Sequence, residues 1–217
     1  MLAKHELKSL GIGSALVLVN IALMLVFART FLVDVFNYVW SLGAIIGIIA
    51  YAVPLIAGSW LGRKGIEQEN LGLAGIGISL LMLAYGSFGA GVIGAIETIE
   101  TQVLVLAVTA LITTLITTLA GLYVYWTDRN LNRTGYYSNI AFLGVFLTGF
   151  IGTFFPPLLI LTFLLAFTGF LLYLIYEVWR MKTEAVSPEL TGLGLYIAYA
   201  GVFIHVLQIV ARYYIED

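Results

Sequence analysis

Glu177 closes a full apolar run, ending the stretch Leu174, Ile175, Tyr176, Glu177. Ionisable side chains on apolar helices are costly to bury and mark function by default. Such an acid could hold a proton or lose it to a cation. Arg180, three residues on, offers the plainer alternative of an ion pair at helical spacing. A second constellation lies further along. At about 100° per residue, Thr191, Gly194, Ala198, Gly201, His205, Gln208 and Arg212 share one helix face. Tyr196, Val202, Phe203, Val206 and Ile209 fall on the other faces, toward lipid or other helices. The small and polar face reads either as the wall of a polar passage or as a tight helix seam holding a satisfied histidine.

Other chemistries lack their residues. There is no cysteine, which excludes disulfides, thiolate metal sites and Cys nucleophiles. No G-x-S-x-G, H-E-x-x-H or Walker lysine motif occurs. The last apolar stretch has no lysine for a retinal Schiff base, and the two histidines, His5 and His205, are far apart in the chain. An enzyme is therefore not expected, nor any cofactor built from these motifs. With a net charge of −2 and no basic tail, no nucleic-acid partner is expected either.

The elements that carry these residues follow from solubility. Of the 217 residues, 61% are hydrophobic and 10% charged, against about 25% charged in a soluble domain. Mean hydropathy is +1.04. A soluble core of this length cannot hide so much apolar surface, so the lipid bilayer is the solvent. A spanning helix needs about 20 apolar residues. Seven stretches qualify, at residues 10–27, 36–61, 71–95, 103–125, 137–155, 157–177 and 190–211. Pro156-Pro157 predicts the tight turn between the fifth and sixth. The fold class is thus all-α, one seven-helix transmembrane bundle over residues 1–217, multi-pass in the cell membrane.

Seven spans put the termini on opposite sides. Lys4, Lys8, Arg63, Lys64, Arg129, Arg133, Arg180 and Lys182 fall at one set of ends, and only Arg29 and Arg212 at the other. The positive-inside rule then predicts a cytoplasmic N-terminus and an outer C-terminus. Trp60, Trp126 and Trp179 at the cytoplasmic ends and Trp40 at an outer end fit an aromatic belt. Asp34, Glu97, Glu100, Glu216 and Asp217 leave the outer side acidic. This rim, with Glu97 and Glu100 at its centre, would raise the local cation concentration modestly, or simply supply loop charge once basic residues are kept inside.

Three further features predict packing. Gly72, Gly75, Ser79, Gly86 and Ala90 make a strip for close helix approach in span three. Thr109, Thr113, Thr114, Thr117 and Thr118 in span four can bond the carbonyls of the preceding turn without lining a pore. Asn20, alone in span one, needs a partner on another helix.

The last third resembles the transmembrane Bax inhibitor motif family, the Bax inhibitor-1 group. Those seven-helix proteins end their sixth helix in Tyr-Asp, and their seventh reads approximately A-L-x-L-Y-x-D-x-x-N-L-F. Here span six ends in Tyr176-Glu177, and span seven carries Leu193, Leu195, Tyr196 and Phe203 at matching places. Thr127, Arg129, Asn130, Leu131, Asn132 and Gly135 follow the family's T-x-R-D-L-S-x-L-G loop. The residue-level likeness covers about the C-terminal 90 positions.

The resemblance implies a calcium or cation leak. In the family, two acids on the last two helices share a proton as a pH-sensitive latch, because close carboxylates cannot both ionise cheaply. This chain departs there: Glu177 replaces the first acid, Ala198 stands in place of the second, and Gly201 in place of the asparagine. The expected route therefore runs past Glu177 as gate acid along the face of Ala198, Gly201, His205, Gln208 and Arg212. Calcium wants several oxygen ligands, so any binding there would be weak. The alternative expectation is a non-transporting protein that binds other membrane proteins, which the loss of the second acid favours.

Overall fold

Apolar stretches of spanning length must satisfy their backbone groups internally, which in lipid selects helices. A computed structural model describes residues 3–184 and 186–216, apart from the side chain of Glu216. Glu216 (as a side chain) and Asp217, both counted above in the acidic outer rim, lie outside the described residues. Among the described residues there are eight α-helices and no strand: α1 (Lys4–Phe27), α2 (Leu32–Ser41), α3 (Ala44–Glu67), α4 (Leu71–Ile93), α5 (Ile99–Trp126), α6 (Asn132–Gly152), α7 (Leu158–Thr183) and α8 (Pro188–Glu216). All but α2 are long and apolar enough to cross a membrane. The chain is a multi-pass membrane protein, with seven helices of spanning length among the described residues.

Local chemistry sets the breaks. Pro156 and Pro157 sit in the turn between α6 and α7, as their missing N–H groups demand. Asn70 caps α4 by accepting from the Leu73 N–H at 3.0 Å. Ser187 receives the Leu190 N–H, and Pro188 opens α8 in the first helical position that tolerates it. Lys182 donates to the carbonyls of Val124 (3.1 Å), Tyr125 and Thr127, occupying the C-terminal end of α5.

The second span is corrected at its start. Residues 36–41 do not begin it; they belong to α2. Gly43, at φ +124°, breaks the chain before α3. Only glycine adopts that conformation at no steric cost. Hydropathy alone runs through this break because α2 is itself apolar on two of its sides.

The chain packs as two compact units: Met1–Val17 with Thr114–Val202, and Leu18–Thr113 with Phe203–Asp217. The first holds the hairpin α6–α7, where Thr162 donates to Thr148 at 2.9 Å and Phe142 meets Phe170 edge-on at 4.9 Å. The second holds the hairpin α3–α4, with α2 packed on both of its helices. There a Cβ on Gly77 would overlap the backbone of Gly62, and one on Gly65 would overlap Ala74. Backbones this close gain dispersion contacts that lipid cannot replace.

The predicted strip on α4 is corrected accordingly. Gly72, Gly75 and Ser79 face outward, and only Gly86 and Ala90 of the five are buried. The contact face toward α3 is Ala74, Gly77 and Leu81. Three of the five threonines of α5 behave as expected: Thr109 donates to the Val105 carbonyl at 2.7 Å, and Thr117 and Thr118 to that of Thr114, whereas Thr114 itself meets the Tyr199 hydroxyl of α8 at 3.2 Å. Asn20 is buried and its amide reaches the Met82 carbonyl of α4 at 3.4 Å.

Candidate functional site

The first unit places Glu177 in the interior. The α7 helix continues to Thr183, so Glu177 is not at a helix end as the sequence suggested. It has 0% exposure, and water does not reach it. Its seat is a glycine. A Cβ on Gly194 would overlap the carboxylate, so Gly194 is small because Glu177 lies on it. Two residues before, on the other side of α8, Gly192 admits α1: a Cβ there would meet Ile12 at 2.8 Å and the Ser9 carbonyl at 3.1 Å. Helices α1, α7 and α8 thus close together around two glycines.

Arg180 stands 3.4 Å from both carboxylate oxygens of Glu177 and 3.0 Å from Glu184. A tight charge-assisted hydrogen bond runs about 2.7–2.9 Å. Arg180 therefore binds the outer acid more closely than the buried one. Glu177 is thus both fully buried and paired with Arg180 at the i, i+3 spacing read from the sequence.

A second buried acid was missed. Glu6 is 6% exposed and accepts a 2.6 Å hydrogen bond from the Tyr125 hydroxyl and another from the Ala3 N–H. Its neighbours add two more ties: His5 Nε2 lies 3.3 Å from the Met181 carbonyl, and Lys8 pairs with Glu189 at 2.6 Å. The first turn of α1 thus clasps α5, α7 and α8. The signal lies in the spacing of Glu6, Ser9 and Gly13, which recur at three and four residues on a buried face, but flanking lysines make the segment read as a solvated end.

The polar face of α8 is divided. Helix α8 is buried around its circumference: 83% of its most apolar stretch, against 11–44% in the other six spans. Ala198 sits in an apolar cluster with Val124, Leu174, Val178 and Leu195. A Cβ on Gly201 would overlap the Phe170 ring. These two positions pack against hydrocarbon. Tyr196, Val202, Phe203 and Val206 are buried too, and Ile209 is exposed. His205, Gln208 and Arg212 belong to the second unit. There His205 is buried, Gln208 turns to the Ile204 carbonyl of its own helix at 3.4 Å, and Arg212 is exposed.

Glu97 and Glu100 are both exposed. Glu100 lies in the first turn of α5, where the helix dipole favours an acid, beside the capping hydroxyl of Thr98. Among the described residues, no group of three His, Asp or Glu side chains could hold a metal ion. Two open depressions mark the first unit. One, of about 670 Å³, is lined by His5, Lys182, Thr183, Glu184, Val186 and Ser187, and the other, of about 350 Å³, by residues of α6 and α7 including Arg133 and Tyr176. Glu177 lines neither.

Comparison with protein-family models, with curated proteins and with solved structures returned no match.

Proposed function

We propose that this chain is a Bax inhibitor-1-like protein of the cell membrane, with its N-terminus in the cytoplasm, that passes cations such as Ca²⁺ in a pH-dependent manner, and that the conformation described is its closed state. One observation carries the reading: a carboxylate without exposed surface, seated on the Gly194 backbone of the most buried span. A protein seldom keeps an acid there for stability, because desolvation offsets the attraction to its partner. In this reading a proton or cation competes with Arg180, 3.4 Å away, for the carboxylate. Opening would have to part α7 from α8, since the small residues that pack them leave no standing route.

The purified protein in liposomes should pass a cation with a rate that changes between pH 5 and 8, and Glu177→Gln should flatten that profile. Absence of any cation flux, or a Glu177→Gln profile matching the native one, would sink the gate role.

The packing of Ala198 favours a second reading, a non-transporting protein that binds other membrane proteins. With hydrocarbon where a second acid would stand, the seam is dry. Recovery of one stable membrane partner from a protein that supports no flux would select this reading.

A further inference from the structure

The link between α1 and α3 is short, yet it holds a ten-residue helix. Phe27 ends one span and Ala44 begins the next, so α2 lies at the level where two spans end. Its residues divide into three sectors at helical spacing. Val33, Phe36 and Trp40 face the protein: Phe36 and Trp40 meet Phe88 edge-on at 5.3 and 5.9 Å, and Gly91 and Gly47 are the notches that take the two rings. Asp34, Asn37 and Ser41 form a polar sector, all exposed. Phe31, Val35, Tyr38 and Leu42, spaced four, three and four, form the third, apolar yet 71, 48, 66 and 49% exposed.

That third sector says what surrounds the helix. Facing water, four large apolar residues would forgo the gain of leaving it. Inside the hydrocarbon, Asp34 and Asn37 would be stranded. A helix with one apolar and one polar outer sector suits the boundary between the two, lying in the membrane plane. Just past the turn, Ile46, Ile49 and Val53 of α3 are exposed as well, on a helix long and apolar enough to span and so to present them to lipid. We infer that α2 is an in-plane interfacial helix whose Phe31, Val35, Tyr38 and Leu42 stripe is occupied by lipid at the headgroup–acyl boundary, with Asp34, Asn37 and Ser41 toward water.

The chain has no cysteine, so single labels test this directly. Val35→Cys, Tyr38→Cys, Asn37→Cys and Ser41→Cys in the full-length protein would each carry an environment-sensitive fluorophore, in phosphatidylcholine–phosphatidylglycerol vesicles. All four positions are surface positions, and helix content from circular dichroism checks folding. Labels at 35 and 38 should shift to the blue and lose emission to a lipid-borne nitroxide, and those at 37 and 41 should lose it to aqueous iodide. Iodide quenching at all four would place the helix in water and overturn the inference. Lipid quenching at all four, or shielding of 35 and 38 from both quenchers, would overturn it too, the latter by showing a protein partner on the stripe. No residue of the Glu177 site enters this test, so the two readings stand or fall separately.

Discussion

A glycine and a carboxylate define each other at the site. Gly194→Ala would force the Glu177 carboxylate from its seat, because a Cβ overlaps it. Overpacking of this kind costs about 1–3 kcal/mol. A flexible side chain can relieve part of that by moving, so the clearer readout is reactivity. A hydrophobic carbodiimide should label Glu177 slowly in the native protein and faster in Gly194→Ala at unchanged helix content; equal rates would show that Gly194 does not set the position of the acid. Glu177 itself was legible in the sequence, as the lone acid after an apolar run. Its seat was not. Nothing in the spacing distinguishes Gly194 from the other small residues of that face, and only the approach of α7 does so. Glu6 was hidden for a related reason: an acid between two lysines looks solvated until Tyr125 is found donating to it.

Among the helices, two glycines two residues apart on α4 should respond with opposite sign. Gly77 meets the backbone of Gly62, so Gly77→Ala must push α3 and α4 apart and should cost about 1–3 kcal/mol. Gly75 has nothing within 4 Å of its would-be Cβ. Gly75→Ala should instead gain up to about 1 kcal/mol from helix propensity. Thermal unfolding in detergent, followed by helical circular dichroism, measures both; a loss at Gly75 as large as that at Gly77 would contradict the assigned face. The sequence showed an excess of small residues on this span and their use in packing. It placed the strip on Gly72, Gly75, Ser79, Gly86 and Ala90; Gly86 and Ala90 are buried, but the first three lie roughly opposite the face that meets α3. Similarly, the hydropathy of residues 36–41 merged α2 into a span, and only Gly43 in its positive-φ conformation separates them.

For the molecule as a whole, the charges make the remaining prediction. In the proposed orientation the eight basic residues at one set of helix ends hold the N-terminus in the cytoplasm. A reporter fused to the N-terminus should be protected in intact cells, and one fused to the C-terminus should be accessible. The reverse pattern would invert the assignment of the Glu177 end to the cytoplasmic side. Protection of both would contradict an odd number of spans.

Span number and the all-helical class were determined by the sequence, because the bilayer demands about 20 apolar residues per crossing and the backbone must satisfy itself within each one. The scarcity of charge likewise narrowed the candidates for a site to a few residues, Glu177 first. The tertiary structure decided which faces meet. It put Ala198 and Gly201 against hydrocarbon, Gly194 under Glu177, and Glu6 beneath Tyr125. In a soluble helix, polarity contrast marks the buried face. In these spans lipid-facing and interior residues are equally apolar, so the choice rests on steric fit between helices, and fit is a property of pairs that no single helix sequence displays.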